Sequence, residues 1–303
     1  MKKILTYLVI LTSGFVFYSC DKPAPTQLID DTNTELEVEL LNKNLDDQYY
    51  TSGADTSGII QDLTGITNLV SVSGIKITNN KNETLESSLA QAMFFDKSKP
   101  IKYSDGRILA YQTITPGIIK FNNVEARLDT FKIRYRDLGD PKVAILGQKY
   151  VLYNLIWGFP DPFYFNYKSN VSFEFIPSGP GNNLTFNIPT PAEITGRVVL
   201  SGSRSDKNLR AVLRWNQNNT KRITVIMGLM RQNQISSIPI YRMKTADDGE
   251  LRIPERYLNQ LPLEKFEKIV FTFVRSFEAY HSNGTDDLFV SSQSIHSIII
   301  DIP

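Results

Sequence analysis

"VSVSGIKIT", Val70 to Thr78, decides the fold class. Apolar and polar side chains alternate along it with a period of two, the spacing of a strand rather than a helix. Gly74 sits in the middle of the run and reads as a β-bulge. The same habit spreads in both directions. "LEVEL" (Leu36 to Leu40) alternates strictly, "FKIRYR" (Phe131 to Arg136) alternates apolar with basic, and "NVSFEFIP" (Asn170 to Pro177) puts Val171, Phe173 and Phe175 on one face. "RVVLS", "AVLRW", "ITVIMGLM", "KIVFTFV" and "SIIIDI" are short, β-branched or aromatic runs separated by Gly, Pro, Asn and Asp, and read as further strands.

Helical spacing is scarce. "ETLESSLAQAMFF" (Glu83 to Phe95) spaces Leu85, Leu89 and Ala92 as one short helix would. "PERYLNQLP" (Pro254 to Pro262) predicts another, opened and closed by proline. The expected fold is therefore mainly β: two β-rich domains with one or two short helices.

The chain of 303 residues is 41% hydrophobic and 21% charged, which suits globular domains rather than disorder. Formal net charge is +1, and loss of residues 1–19 with Lys2 and Lys3 would leave −1. Neither value, nor any run of Lys and Arg, suits a nucleic-acid partner. The single cysteine forbids an internal disulfide and any cysteine-based metal site.

That cysteine stands at a boundary. Lys2 and Lys3 precede an apolar stretch from Ile4 to Tyr18, short for a membrane span, which ends Phe17-Tyr18-Ser19-Cys20. Ser19 directly before Cys20 resembles the lipobox of bacterial lipoproteins, although Phe17 and Tyr18 depart from its commonest forms. The resemblance implies removal of residues 1–19 and lipid on Cys20, and hence a place in the bacterial cell envelope, the outer membrane above the inner. Each buried methylene contributes about 0.8 kcal/mol, so two or more acyl chains hold the chain on a membrane stably. The segment 20–35, with "DKPAPTQLIDDTNTE", is polar and proline-bearing and reads as a flexible tether.

A Pro-, Gly- and Asn-rich stretch, residues 177–194, is read as the boundary between a β-rich domain at 36–180 and a second at 190–303. The strand spacing of the second, with Trp215 as a core candidate, resembles an immunoglobulin-like or fibronectin type III-like sandwich, an architecture that carries no function by itself.

Chemistry leaves few marks. Ser73-Gly74-Ile75-Lys76 matches the S-x-x-K string of penicillin-recognising enzymes, but in a strand an offset of three sends the two side chains to opposite faces. His281 falls in a polar loop, "YHSNGTDD", and His296 in a final strand, where a solvated or edge-strand histidine is the expectation. Asp30-Asp31, Asp46-Asp47, Asp247-Asp248 and Asp286-Asp287 lack the spacing of a calcium loop, and Asp248-Gly249 reads as a turn. No cofactor and no metal are expected. N-x-S/T strings begin at Asn82, Asn170, Asn183, Asn218 and Asn283, and read as chance in an Asn-rich envelope protein.

The most unusual stretch is "YNLIWGFPDPFYFNY", Tyr153 to Tyr167. Trp157, Phe159, Phe163, Tyr164 and Tyr167 in it are the candidate binding residues. Exposed, such rings make a platform for a protein or glycan partner; buried, they plug a sandwich core. The function expected is a lipid-anchored envelope protein with a binding or structural role and no catalysis. The alternative is an envelope polysaccharide-acting enzyme whose carboxylates leave no local mark.

Overall fold

The structure, a computed structural model, describes residues 36–41, 68–154, 161–218, 220–231, 237–282 and 287–303. The first half contributes β1 (Glu37–Leu40), β2 (Asn68–Thr78), β3 (Thr84–Lys102), β4 (Ile108–Ile114), β5 (Gly117–Phe121), β6 (Val124–Glu125), β7 (Arg127–Asp137), β8 (Asp140–Asn154), β9 (Asn170–Pro177) and β10 (Leu184–Pro189). The second contributes β11 (Gly196–Ser201), β12 (Arg210–Trp215), β13 (Arg222–Met230), β14 (Ile238–Ala246), β15 (Glu250–Ile253), helix α1 (Glu255–Asn259), β16 (Lys268–Ser282) and β17 (Asp287–Asp301). The fold is mainly β, as the alternation predicts. The helix predicted at Pro254–Pro262 forms as α1, while the one predicted at Glu83–Phe95 does not.

That second segment lies in β3, a strand of 19 residues. From Leu89 to Phe95 every residue of it is buried. A strand covered on both faces reads as an unbroken apolar run, which mimics helical spacing wherever the eye begins. Ala90, Ala92 and Phe94 face one core, Met93 and Phe95 another.

Among the described residues ten strands form one sheet, in the order β1-β14-β13-β16-β17-β2-β3-β8-β7, with β4 also on β3. Its pairings are antiparallel except where β17 runs parallel to β2, from Leu288 opposite Asn68 to Ile298 opposite Thr78. That ladder joins the two halves of the chain in one backbone-bonded layer. The stretch 177–194, read as a boundary, holds β10, which pairs along β9 from Leu184–Phe175 to Pro189–Asn170.

Two smaller sheets cover the same face of the large one. β11-β12-β15 packs over β13, β14 and β16 around Leu213, Trp215, Val225, Met227, Phe271 and Phe273. β10-β9-β5-β6 packs over β2, β3 and β8, where small Ala90 and Ala92 face the rings of Phe121, Phe163 and Phe173. Each such ring, fully buried, contributes about 1.5–3 kcal/mol by leaving water. β17 runs under both covers: Leu288 and Val290 belong to one core and Ile298 to the other.

β2 carries no bulge at Gly74, since its register is continuous against both β17 and β3. The break in alternation there marks a change of buried face. Val70 and Val72 point under the four-stranded sheet, and past Gly74 the apolar Ile75 points to the opposite side.

Candidate functional site

Between the two covering sheets the large sheet is polar. In β17 the residues at 292, 294 and 296 share the face of Leu288 and Val290, so Ser292, Ser294 and His296 line the seam where neither apolar cover reaches. Arg275 of β16 stands opposite Ser294, and Gly74 and Lys76 of β2 stand opposite Ser294 and His296. Sequence reasoning missed this group. Its signal is "SSQSIHS", a polar run inside a strand that is otherwise aliphatic.

His296 lies in the interior of the sheet and is 5% exposed, so the edge-strand expectation is corrected. Its Nδ1 accepts the Gly196 N–H at 2.8 Å, which leaves the proton on Nε2, donated to Thr78 Oγ1 at 2.9 Å. Burial pushes its pKa down, and the Lys76 charge adds to this against the pull of Glu193. His281 is likewise in a strand, β16, where it stacks on Phe186 at 4.3 Å between ring centroids.

Lys76 reaches Glu86 at 2.8 Å and Glu193 at 2.5 Å. Burial opposes its charge, but the hydrogen bonds it donates to Glu193 and Glu86 outweigh this and hold its pKa above the ordinary lysine value. Ser73, on the other face of β2, is 1% exposed, so the S-x-x-K pair never meets. Deeper in the seam the Arg275 guanidinium grips Asp247 and donates to the backbone carbonyls of Glu193, at 2.9 Å, and Asn216, at 2.8 Å. Trp215, the predicted core residue, is 7% exposed and donates from Nε1 to Asp247 at 2.8 Å. Asp247 is thus a structural ion, while Gly249, at φ +93°, makes the predicted turn. Among the described residues no three His, Asp or Glu side chains gather as around a metal ion.

The aromatic stretch meets the seam from above. Cys20, Trp157 and Phe159 lie outside the described residues, as do the predicted signal peptide and tether. Tyr153 and Asp161 close the base of the stretch, the Asp161 N–H donating to the Tyr153 carbonyl at 2.8 Å and its carboxylate accepting from the Tyr153 N–H at 2.7 Å. Asn154 Nδ2 then donates to the Phe163 carbonyl, and the Phe165 N–H to Ser88 Oγ, both at 3.0 Å. These bonds lay residues 161–167 across β8 and β3. The structure separates the predicted rings. Phe163 is 1% exposed and belongs to the core, Tyr164 is 66% exposed, and Tyr167 is half-buried.

Tyr167 packs edge-on against Phe165, and both rings lie over Gly74. A Cβ at position 74 would fall 2.5 Å from Phe165 Cδ1 and 2.8 Å from Tyr167 Oη, so only glycine leaves room for them. The Tyr167 phenol hydrogen-bonds Ser294, and burial pushes its pKa up. Beside it opens a cleft of about 380 Å³ lined by Tyr167, Lys168, Glu193, Asn216, Gln217 and Asn218. One aromatic ring, three consecutive amides, the Lys168 ammonium and a carboxylate already paired with Lys76 suit a polar ligand with many hydroxyl or amide groups. Asn216 is already fixed, accepting from the Thr195 N–H and donating to the Glu193 carbonyl, and both it and Gln217 are exposed. No protein-family model matches the sequence, and comparison with curated proteins finds no match.

Proposed function

We propose that the chain is a lipid-anchored protein of the bacterial cell envelope that binds a glycan or protein partner and does not catalyse, with an immunoglobulin-like sandwich as its C-terminal half. The observation that carries the binding reading is the Tyr167 cleft: an aromatic side chain beside the Gln217 and Asn218 amides, the pairing that suits a sugar ring. The carboxylates nearest it argue against the polysaccharide-acting alternative, because Glu193 and Glu86 share the Lys76 ammonium and are already engaged as an ion pair. Support for the anchor comes from Lys2, Lys3, the apolar run and Ser19-Cys20. Two experiments test the proposal. Cys20→Ala should move the chain from the membrane to the soluble fraction; a variant still fully membrane-bound would exclude lipid anchoring. Co-sedimentation of the released chain with peptidoglycan sacculi, or with envelope proteins cross-linked to it, should weaken in Gln217→Ala/Asn218→Ala with the melting temperature unchanged. Equal retention of wild type and variant would remove the cleft from the binding surface.

A further inference from the structure

A second cavity lies at the far end of the same face, away from the seam. Its floor is one rung across three strands: Leu288 of β17 stands opposite Asn68 of β2, which stands opposite Phe94 of β3. Its roof is Phe173, Phe175 and Leu184 from the four-stranded sheet, with Ile114 and Pro116 toward solvent. Phe94 and Phe175 face each other with centroids 5.5 Å apart, and Ile114 is 42% exposed. The space is about 140 Å³, close to the roughly 150 Å³ at which cavities walled by Leu, Ile and Phe accept a benzene-sized guest.

The residue out of place is Asn68. It is 8% exposed, and every other described side chain that lines the cavity is apolar. Asn68 satisfies half of itself: Oδ1 accepts the Phe95 N–H at 3.3 Å, which orients the amide. Among the described residues no hydrogen bond holds its Nδ2, which is not sealed from solvent, so a donor is left open to a guest in the cavity.

We propose that this cavity is a binding site for an uncharged, ring-sized apolar group carrying a carbonyl oxygen, an aryl or short-acyl ketone, ester or amide. The apolar group fills the space walled by Phe94, Phe175 and Leu184, beside the Phe94–Phe175 ring contact, and its oxygen accepts from Asn68 Nδ2. A carboxylate is disfavoured because none of the described residues lining the cavity is a cation that could repay its desolvation. The site stands apart from the Tyr167 cleft and does not depend on the function proposed for it.

Saturation-transfer NMR on the full-length chain, with acetophenone, ethylbenzene and benzoate as probes, tests the assignment. Acetophenone should bind about 3- to 10-fold more tightly than ethylbenzene, the gain of one neutral hydrogen bond, and benzoate most weakly. Asn68→Leu should erase the preference for acetophenone. Leu184→Trp, at a half-buried wall position, should abolish binding of both neutral probes and carries the test if Asn68→Leu does not fold. Equal binding of acetophenone and ethylbenzene to the wild type would overturn the role of Asn68. Absence of binding, or binding untouched by Leu184→Trp, would overturn the site.

Discussion

Arg275 meets Asp247 edge to edge, Nη2 at 2.9 Å from Oδ1 and Nε at 3.1 Å from Oδ2, and neither side chain touches solvent. The pair ties four segments together, since Arg275 also donates to the carbonyls of Glu193 and Asn216 and Asp247 accepts from Trp215 and Thr220. Asp247→Asn should destabilise the protein by about 3–5 kcal/mol in urea unfolding, because it strands a buried guanidinium. Replacing both partners by Leu and Met should recover little of this, unlike an isolated ion pair, because the carbonyls and the Trp215 N–H lose their partners too. Full recovery in the double variant would show that the pair acts alone.

The same carboxylate sets an acid limit. Burial opposes the Asp247 charge, but hydrogen bonds from Arg275, Thr220 and Trp215 outweigh it and hold its pKa below the usual 3.8. A depressed folded pKa gives stability that is complete above the unfolded value and lost as pH falls through the folded one. Stability attributable to Asp247 should therefore fall only below about pH 4, and Asp247→Asn should flatten that acid limb.

His296 works in a higher window. Its folded pKa is pushed below 6.5, so the unfolded chain binds the proton more readily. The contribution is complete above about pH 6.5 and lost as pH falls toward the folded pKa. Protonation also converts Nδ1 from acceptor to donor and breaks its bond from Gly196. Unfolding free energy should drop by at most about 1.4 kcal/mol per pH unit between pH 6.5 and 5 through this one group, and His296→Gln should remove that slope. An unchanged slope would place the titration elsewhere.

Gly74→Ala probes the junction between β2 and the aromatic stretch. The new methyl group has no space beside Phe165 and Tyr167, and overpacking of this kind costs about 1–3 kcal/mol. Phe165→Leu should restore part of the loss when combined with Gly74→Ala although it is destabilising alone, and a double-mutant cycle measures that coupling. Strict additivity would mean the rings move aside freely.

Local patterns in the sequence show the strands because period two is written into each segment, as Val171, Phe173 and Phe175 illustrate. They do not show which strands pair. The ladder of β17 with β2 joins residues more than two hundred positions apart, and nothing in "SIHSIIIDI" names "VSVSGIKIT" as its neighbour. The seam was illegible for the same reason. Lys76, Glu86, Glu193 and His296 are ordinary surface types in their own segments and become a site only once the sheet brings them together. Gly74 mimics a bulge in the sequence because its neighbours change phase, and what changes is the core that each side faces.

The aromatic stretch divides between the two readings that its sequence left open, and single substitutions should divide the same way. Phe163 packs edge-on against Phe121 at 6.2 Å inside the core beneath the four-stranded sheet. Phe163→Ala removes a fully buried ring and should cost about 3–5 kcal/mol, enough to lower the melting temperature sharply. Tyr164, its neighbour, turns the other way and is 66% exposed. Tyr164→Ala should stay within about 0.5 kcal/mol of wild type, so any change it makes in partner retention reports contact rather than unfolding. Thermal melts of the two variants side by side decide the matter. A large loss for Tyr164→Ala would mean that its ring is covered, and the platform would then shrink to Tyr167 at the cleft.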